Sequence, residues 1–349
     1  MKGAKKKLIW SIVFILLVIV TIWTMTKQSG SFTIEGFIAF AKKIKWYWML
    51  LALLAMFGFA FFFFFLIRTL AKMFGYERSV GRNVVYASAD VYFSAITPSA
   101  SGGQPASALF MIGDGIPATV TTIVLLINLT LYALSIIAVA LICLIFGFTQ
   151  LQQFDHFSVT LIIFGIVLQV VLVIVFLLLV YKEKIIMKIA DFAIRILSRF
   201  HMVKRGHAWR LRIVRAEAQY KQCAQAILQN KRYVFKAFIY NFLQRASMMM
   251  VSVFVFAGYY GRLPELGKVF ITQGYVVIGS NTVPIPGAVG VADYLFMDGF
   301  GDMVKEATNF ELLSRGIAFY GGVLVCGAIT LVAYVAKGLK EMRQKKNEE

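Results

Sequence analysis

No charged residue occurs between Thr119 and Phe146, or between Thr160 and Tyr181. Each run exceeds the roughly 18 apolar residues that mark a membrane-crossing helix. Hydrocarbon offers no water to an unpaired backbone amide, so such runs must satisfy their own hydrogen bonds. Comparable apolar segments lie near Leu8–Met25, Trp46–Ile67, Tyr233–Ala257 and Leu312–Ala336. Sixty per cent of the 349 residues are hydrophobic, 60% by count, which leaves too little polar surface to cover a soluble domain. The expectation is an all-α polytopic membrane protein, one integral membrane domain with about six full spans.

The formal charge of +19 is distributed as topology requires rather than as nucleic acid requires. Lys2, Lys5, Lys6 and Lys7 precede the first span, and Arg68, Lys72, Arg78 and Arg82 follow the second. The stretch from Lys182 to Lys236 is strongly basic, and so is the tail 338–349. Positive residues mark cytoplasmic loops, so both termini are expected inside. Nothing resembles the basic–aromatic platform that binds single-stranded nucleic acid. The N-terminal run lacks an A-x-A site and reads as a retained helix rather than a cleaved signal. "SFTIEGFIAFAKKIK" reads as a short amphipathic helix on the outer surface, although Lys42, Lys43 and Lys45 oppose that placement.

Within the basic segment 182–232, Ile185, Ile189, Phe192 and Ile196 share one helical face, and Lys184, Lys188, Asp191, Arg195 and Arg199 another. Such a helix suits an anionic membrane surface. Cys143, Cys223 and Cys326 form no CxxC pair, and His156, His201 and His207 are scattered. They read as neither disulfide nor zinc positions, so no metal and no cofactor are expected.

Two pieces, 83–113 and 266–304, do not read as plain spans. The first contains "ITPSASGGQPAS", in which Pro98 and Pro105 stop helices while Gly102 and Gly103 permit tight turns and close approach. A half-helix is expected to resume at Ala106. The second contains "SNTVPIPGAVGVAD", where Pro284 and Pro286 end one half-helix, Gly287 turns, and another begins near Ala288. Irregular backbone at membrane depth survives only where protein buries it or water reaches it. Two broken re-entrant hairpins entering from opposite faces point to an inverted pseudo-repeat around a binding site. The free N–H groups of the two half-helices would then face an anionic group. Two ordinary kinked helices are the plain alternative.

Arg245 sits mid-span beside Asn241 and Gln244. A charge at that depth costs about 2.5–3.5 kcal/mol or more, so it requires a partner or water. Asp293, in the first turn after the second break, and Asp90, before the first, are the available carboxylates. The residues expected to contact a lipid headgroup are Arg245, Asp90 and Asp293, with Thr97, Ser99, Ser101, Gly102, Gly103 and Gln104 from the first break. Asn281, Thr282 and Gly287 join them from the second. A structural Arg–Asp pair without any transport role is the competing reading.

"TPSASGGQP" and "PIPGAVGVAD", in this order and among these spans, resemble the membrane-embedded flippase half of the lysylphosphatidylglycerol synthetase/flippase family, over roughly Leu8 to Lys337. The family often carries an acid where this chain has Gln104, and Glu where it has Asp293. The resemblance implies a multi-pass protein of the bacterial cell membrane that translocates a phospholipid. The cargo it implies is aminoacylated, such as lysylphosphatidylglycerol, with a contribution to cationic-peptide resistance. Full-length members also carry a soluble aminoacyl-transfer domain, for which this chain is expected to leave no room after Ala336.

Alternatives are a phosphatidylglycerol lysyltransferase-type enzyme, a membrane partner of a separate lipid synthase, and a carrier of polyprenyl-linked sugars. No HExxH, GxSxG or paired acidic cluster stands in the sequence. "GRLPELGKV" fails as a phosphate loop in its glycine spacing and its last residue.

Overall fold

A computed structural model describes residues 33–97, 100–182, 222, 224–281, 283, 285–288 and 290–348. The expected first span Leu8–Met25, most of the basic segment 182–232, and the site candidates Ser99 and Thr282 lie outside the described residues. Among the described residues the structure is helical, without strands.

Four uninterrupted helices form the frame: α2 (Trp46–Met73), α5 (Ala118–Phe146), α6 (His156–Tyr181) and α7 (Lys231–Tyr260). At 1.5 Å per residue they are about 39–45 Å long, more than the roughly 30 Å hydrocarbon core requires. A fifth long stretch, Ala307–Ala336, is also apolar enough to cross. It is built of α10 (Ala307–Arg315), one π-helical segment at Gly316–Gly321, and α11 (Gly322–Glu348). On α6, Ile163, Phe164, Val167, Val171 and Ile174 are exposed. A face so apolar is soluble only in lipid.

Ahead of α2 stands the expected amphipathic helix, α1 (Ile34–Lys43), N-capped by Thr33, whose Oγ1 accepts from the Gly36 N–H. It is not free on a surface throughout. Phe40 is buried and stacks on Tyr259 near the end of α7, with ring centroids 4.0 Å apart.

Both breaks are helix hairpins. The first pairs α3 (Val80–Ile96) with α4 (Gly103–Gly113), and the second pairs α8 (Leu266–Ser280) with α9 (Val291–Phe300). Each is a longer arm followed by a shorter one. The arms reach only about 15–26 Å, less than the hydrocarbon core.

The hairpins enter from opposite ends of the bundle. The first begins beside the C-terminal end of α2, where Glu77 pairs with Arg68 and Lys72. The second begins just after α7 ends, and that end packs beside the start of α2, against Trp48. Two buried clusters match this division. One gathers Leu66, Ile67, Tyr86 and Met111 around the first hairpin, and the other Tyr275, Phe256, Phe300 and Phe310 around the second.

The half-helices start elsewhere than their prolines indicate. Helix α4 begins at Gly103, not Ala106. Pro105 falls in the first turn, where a missing N–H leaves no bond unmade. Helix α9 begins at Val291, not Ala288. Gly287, Ala288 and Gly290 all have positive φ, at 62°, 52° and 85°, so right-handed helix cannot propagate through them.

Candidate functional site

The tip of the second hairpin packs against the long arm of the first and reaches the middle of α5. Residues 286–288 pack against α3, and Asn281 accepts a 2.8 Å hydrogen bond from the Tyr132 hydroxyl, halfway along α5. Above the Tyr132 ring, 4.7 Å from its centroid, lies the guanidinium of Arg245, halfway along α7. The Phe59 ring, 5.4 Å away, holds it from another side. A guanidinium over ring faces gains electrostatic attraction while its charge stays unneutralised. The Nε of Arg245 has no hydrogen-bond partner, and no ion pair joins Arg245 to a carboxylate among the described residues. Beside it the buried Oδ1 of Asn241 and Oε1 of Gln244 also lack partners. This is an unfinished polar centre.

Asp90 is the carboxylate among the described residues whose charge reaches it. It attracts Arg245 through the interior without touching it. The carboxylate is 5% exposed and accepts from Gln104 Nε2 at 2.8 Å and from Ser94 Oγ at 3.1 Å. It faces the first turn of α4 so closely that a Cβ on Gly103 would lie 2.3 Å from Asp90 Oδ1. Only glycine allows that approach. Gly102 has ordinary negative φ and serves the loop differently, its N–H donating to Thr97 Oγ1 at 2.8 Å. Thr97 in turn donates to the Phe93 carbonyl at 2.6 Å. Ser101 is exposed and joins none of these contacts.

The second break is organised around a residue outside the expected set. Arg315, at the end of α10, donates to the Asp293 carboxylate and to the Gly287 carbonyl at 2.7 Å. Glu311 lies one turn back, 3.6 Å from the same guanidinium. Asp293 also accepts from the Gly290 N–H at 2.9 Å, closing the N-terminal turn of α9 upon itself. Asp293 therefore belongs to Arg315 and not to Arg245. Sequence reasoning passed over Arg315, although it stands inside the last apolar segment and meets the test that singled out Arg245.

The N-terminal turns of the two half-helices do not stand open toward a shared anion. Asp90 faces one and Asp293 caps the other, each supplying negative charge where the helix dipole favours it. Of the expected residues, the structure groups Asp90, Thr97, Gly102, Gly103 and Gln104 at the first tip. It links Arg245 to Asn281 through Tyr132, and gathers Gly287 with Asp293 on Arg315.

The family model of the lysylphosphatidylglycerol synthase transmembrane region matches residues 8–335. The chain belongs to this family. No curated protein and no solved structure matches the chain. The family match spans both hairpins and every described helix that forms the two polar centres.

Proposed function

We propose that the protein is a lipid translocase of the bacterial plasma membrane. Its cargo carries a phosphate and, in the favoured case, an added ammonium, as an aminoacylated phosphatidylglycerol does. The reading rests on one observation above all. Arg245 is a guanidinium at mid-depth held by rings rather than by a carboxylate. A cation maintained there without a contact partner is expensive unless something anionic completes it. A phosphate accepts the bidentate donor fork that a guanidinium presents. Asp90, near but not touching, offers the opposite charge to a headgroup of both signs.

The test is reconstitution in vesicles containing fluorescent phosphatidylglycerol, alone or aminoacylated, with an impermeant quencher outside. Translocation lets the quencher destroy more fluorescence than the outer leaflet holds. Conversion of the lipid into a new product would assign an enzyme instead. Neither change would leave a membrane partner for a separate synthase.

A further inference from the structure

Inside the second hairpin, bounded by α7, α8, α9 and α10, is a cavity of about 120 Å³. Its polar wall consists of Ser252, Gln273, Ser280, Glu311, Ser314 and Arg315. One water needs about 10–15 Å³ on a comparable measure, so the space holds several. Ser314 is 2% exposed, and its hydroxyl has no hydrogen-bond partner.

The charges around it do not balance. Asp293 is engaged by Arg315 and by the Gly290 N–H. Glu311, 6% exposed, makes a longer contact with Arg315, and its carboxyl lies within hydrogen-bonding reach of Asp293. The groups facing Glu311 from α7 and α8 (Ser252, Gln273 and Ser280) are neutral. From α9 comes Asp293, and from its own helix Arg315. Two ionised carboxylates against one guanidinium leave one negative charge uncompensated in a buried site. A proton on Glu311 removes that excess and turns the approach to Asp293 from repulsion into a hydrogen bond.

We propose that Glu311 is an exchangeable proton site, served by water in this cavity, and that its occupancy is coupled to lipid movement. The route is short. Arg315 holds the Gly287 carbonyl at the hairpin tip, and an ionised Glu311 competes for that guanidinium. The same tip carries Asn281, which fixes Tyr132 beneath Arg245. The coupling, though not the proton site itself, rests on the translocase reading.

Two measurements separate these claims. Infrared difference spectra of the purified protein in nanodiscs, taken across a pH titration, should show a carboxylic-acid carbonyl band. Glu311→Gln should remove one component of the band, other buried carboxyls such as Asp90 supplying the rest, and Glu311→Asp should keep that component with a displaced midpoint. A wild type without the band, or a band that Glu311→Gln leaves unchanged in amplitude, overturns the proton site. In vesicles bearing a pH gradient, wild-type movement of labelled phosphatidylglycerol should change with the gradient's direction, and Glu311→Gln should lose that dependence. Lipid movement indifferent to the gradient in the wild type overturns the coupling. A titrating band in a protein that moves no lipid keeps the proton site and overturns both the coupling and the translocase reading.

Discussion

The two hairpins use the same backbone device and arrive at opposite electrostatic states. At the first tip the charges are held apart: Asp90 bonds to Gln104 and Ser94, while Arg245 rests on Tyr132 and Phe59. At the second they are joined, with Arg315 on Asp293 and the Gly287 carbonyl. A Pro/Gly break therefore creates a place for polar groups without deciding whether they neutralise each other. At the first centre the described contacts leave the guanidinium without a carboxylate. At the second the chain supplies the carboxylates itself.

The largest expected effects test that contrast directly. Arg245→Gln should abolish lipid movement in vesicles and leave the melting temperature nearly unchanged, because it strands no contacting carboxylate. Arg245→Lys should restore activity only in part, having lost the planar fork. Arg315→Gln should do the reverse in emphasis. It strands the buried Asp293 carboxylate and should destabilise the protein by about 3–5 kcal/mol, the scale for breaking a buried pair. Adding Asp293→Asn should recover much of that loss. A folded Arg315→Gln beside an unfolded Arg245→Gln would invert the comparison and refute it.

The glycines at the two tips form the next test. In Gly103→Ala the new Cβ would sit 2.0 Å from Ser94 Oγ and 2.3 Å from Asp90 Oδ1. In Gly287→Ala it would sit 2.6 Å from Phe319 Cζ, on backbone with φ of 62°. Overpacking alone costs about 1–3 kcal/mol, and left-handed backbone adds about 1–2 kcal/mol to the second. Thermal unfolding in detergent should therefore show both substitutions lowering the melting temperature, Gly103→Ala because its Cβ also lies 2.6 Å from the Asp90 backbone oxygen and Gly287→Ala because of its left-handed backbone. Tyr132→Phe is milder, removing the hydrogen bond to Asn281 and keeping the ring under Arg245, for about 0.5–1.5 kcal/mol. Tyr132→Leu should be worse for lipid movement, since it removes the ring as well.

These residues also show what the sequence could disclose. The breaks were legible because proline and glycine act on their own backbone, and the spans because apolar length is a local property. Arg245 was legible because a charge inside an apolar run is visible without knowing its neighbours. Its surroundings were not, since the rotation of α5 and α7 decides whether Tyr132 or a carboxylate lies beneath the guanidinium. The pairing of Asp293 with Arg315 likewise depends on how α9 packs against α10. The π-helical segment Gly316–Gly321, which follows Arg315 directly and contains the Phe319 that abuts Gly287, has no periodicity signal in so short a stretch.

The smallest expected effects lie at the outer ends of the hairpins, where an exposed carboxylate helps to fasten each hairpin to the frame. Hydrogen bonds from Lys72 and then Arg68 hold the Glu77 carboxyl below its ordinary range. Asp155 is held low chiefly by the Tyr294 hydroxyl, and next by the Ser158 N–H that it accepts while capping α6. Both groups have a lower pKa folded than unfolded. Each therefore contributes stability above the ordinary carboxylate range of about 4, and that contribution is lost as pH falls through the folded value. Glu77→Gln and Asp155→Asn should each lower the melting temperature slightly at neutral pH, and the difference from wild type should shrink in acid. Salt distinguishes the two mouths. Glu77 is fastened by two exposed cations, whose attraction a Debye length of about 8 Å at physiological ionic strength already weakens. Asp155 is fastened by neutral donors. The effect of Glu77→Gln should fade as salt is raised while that of Asp155→Asn persists, and equal fading would show that both mouths are held by charge alone.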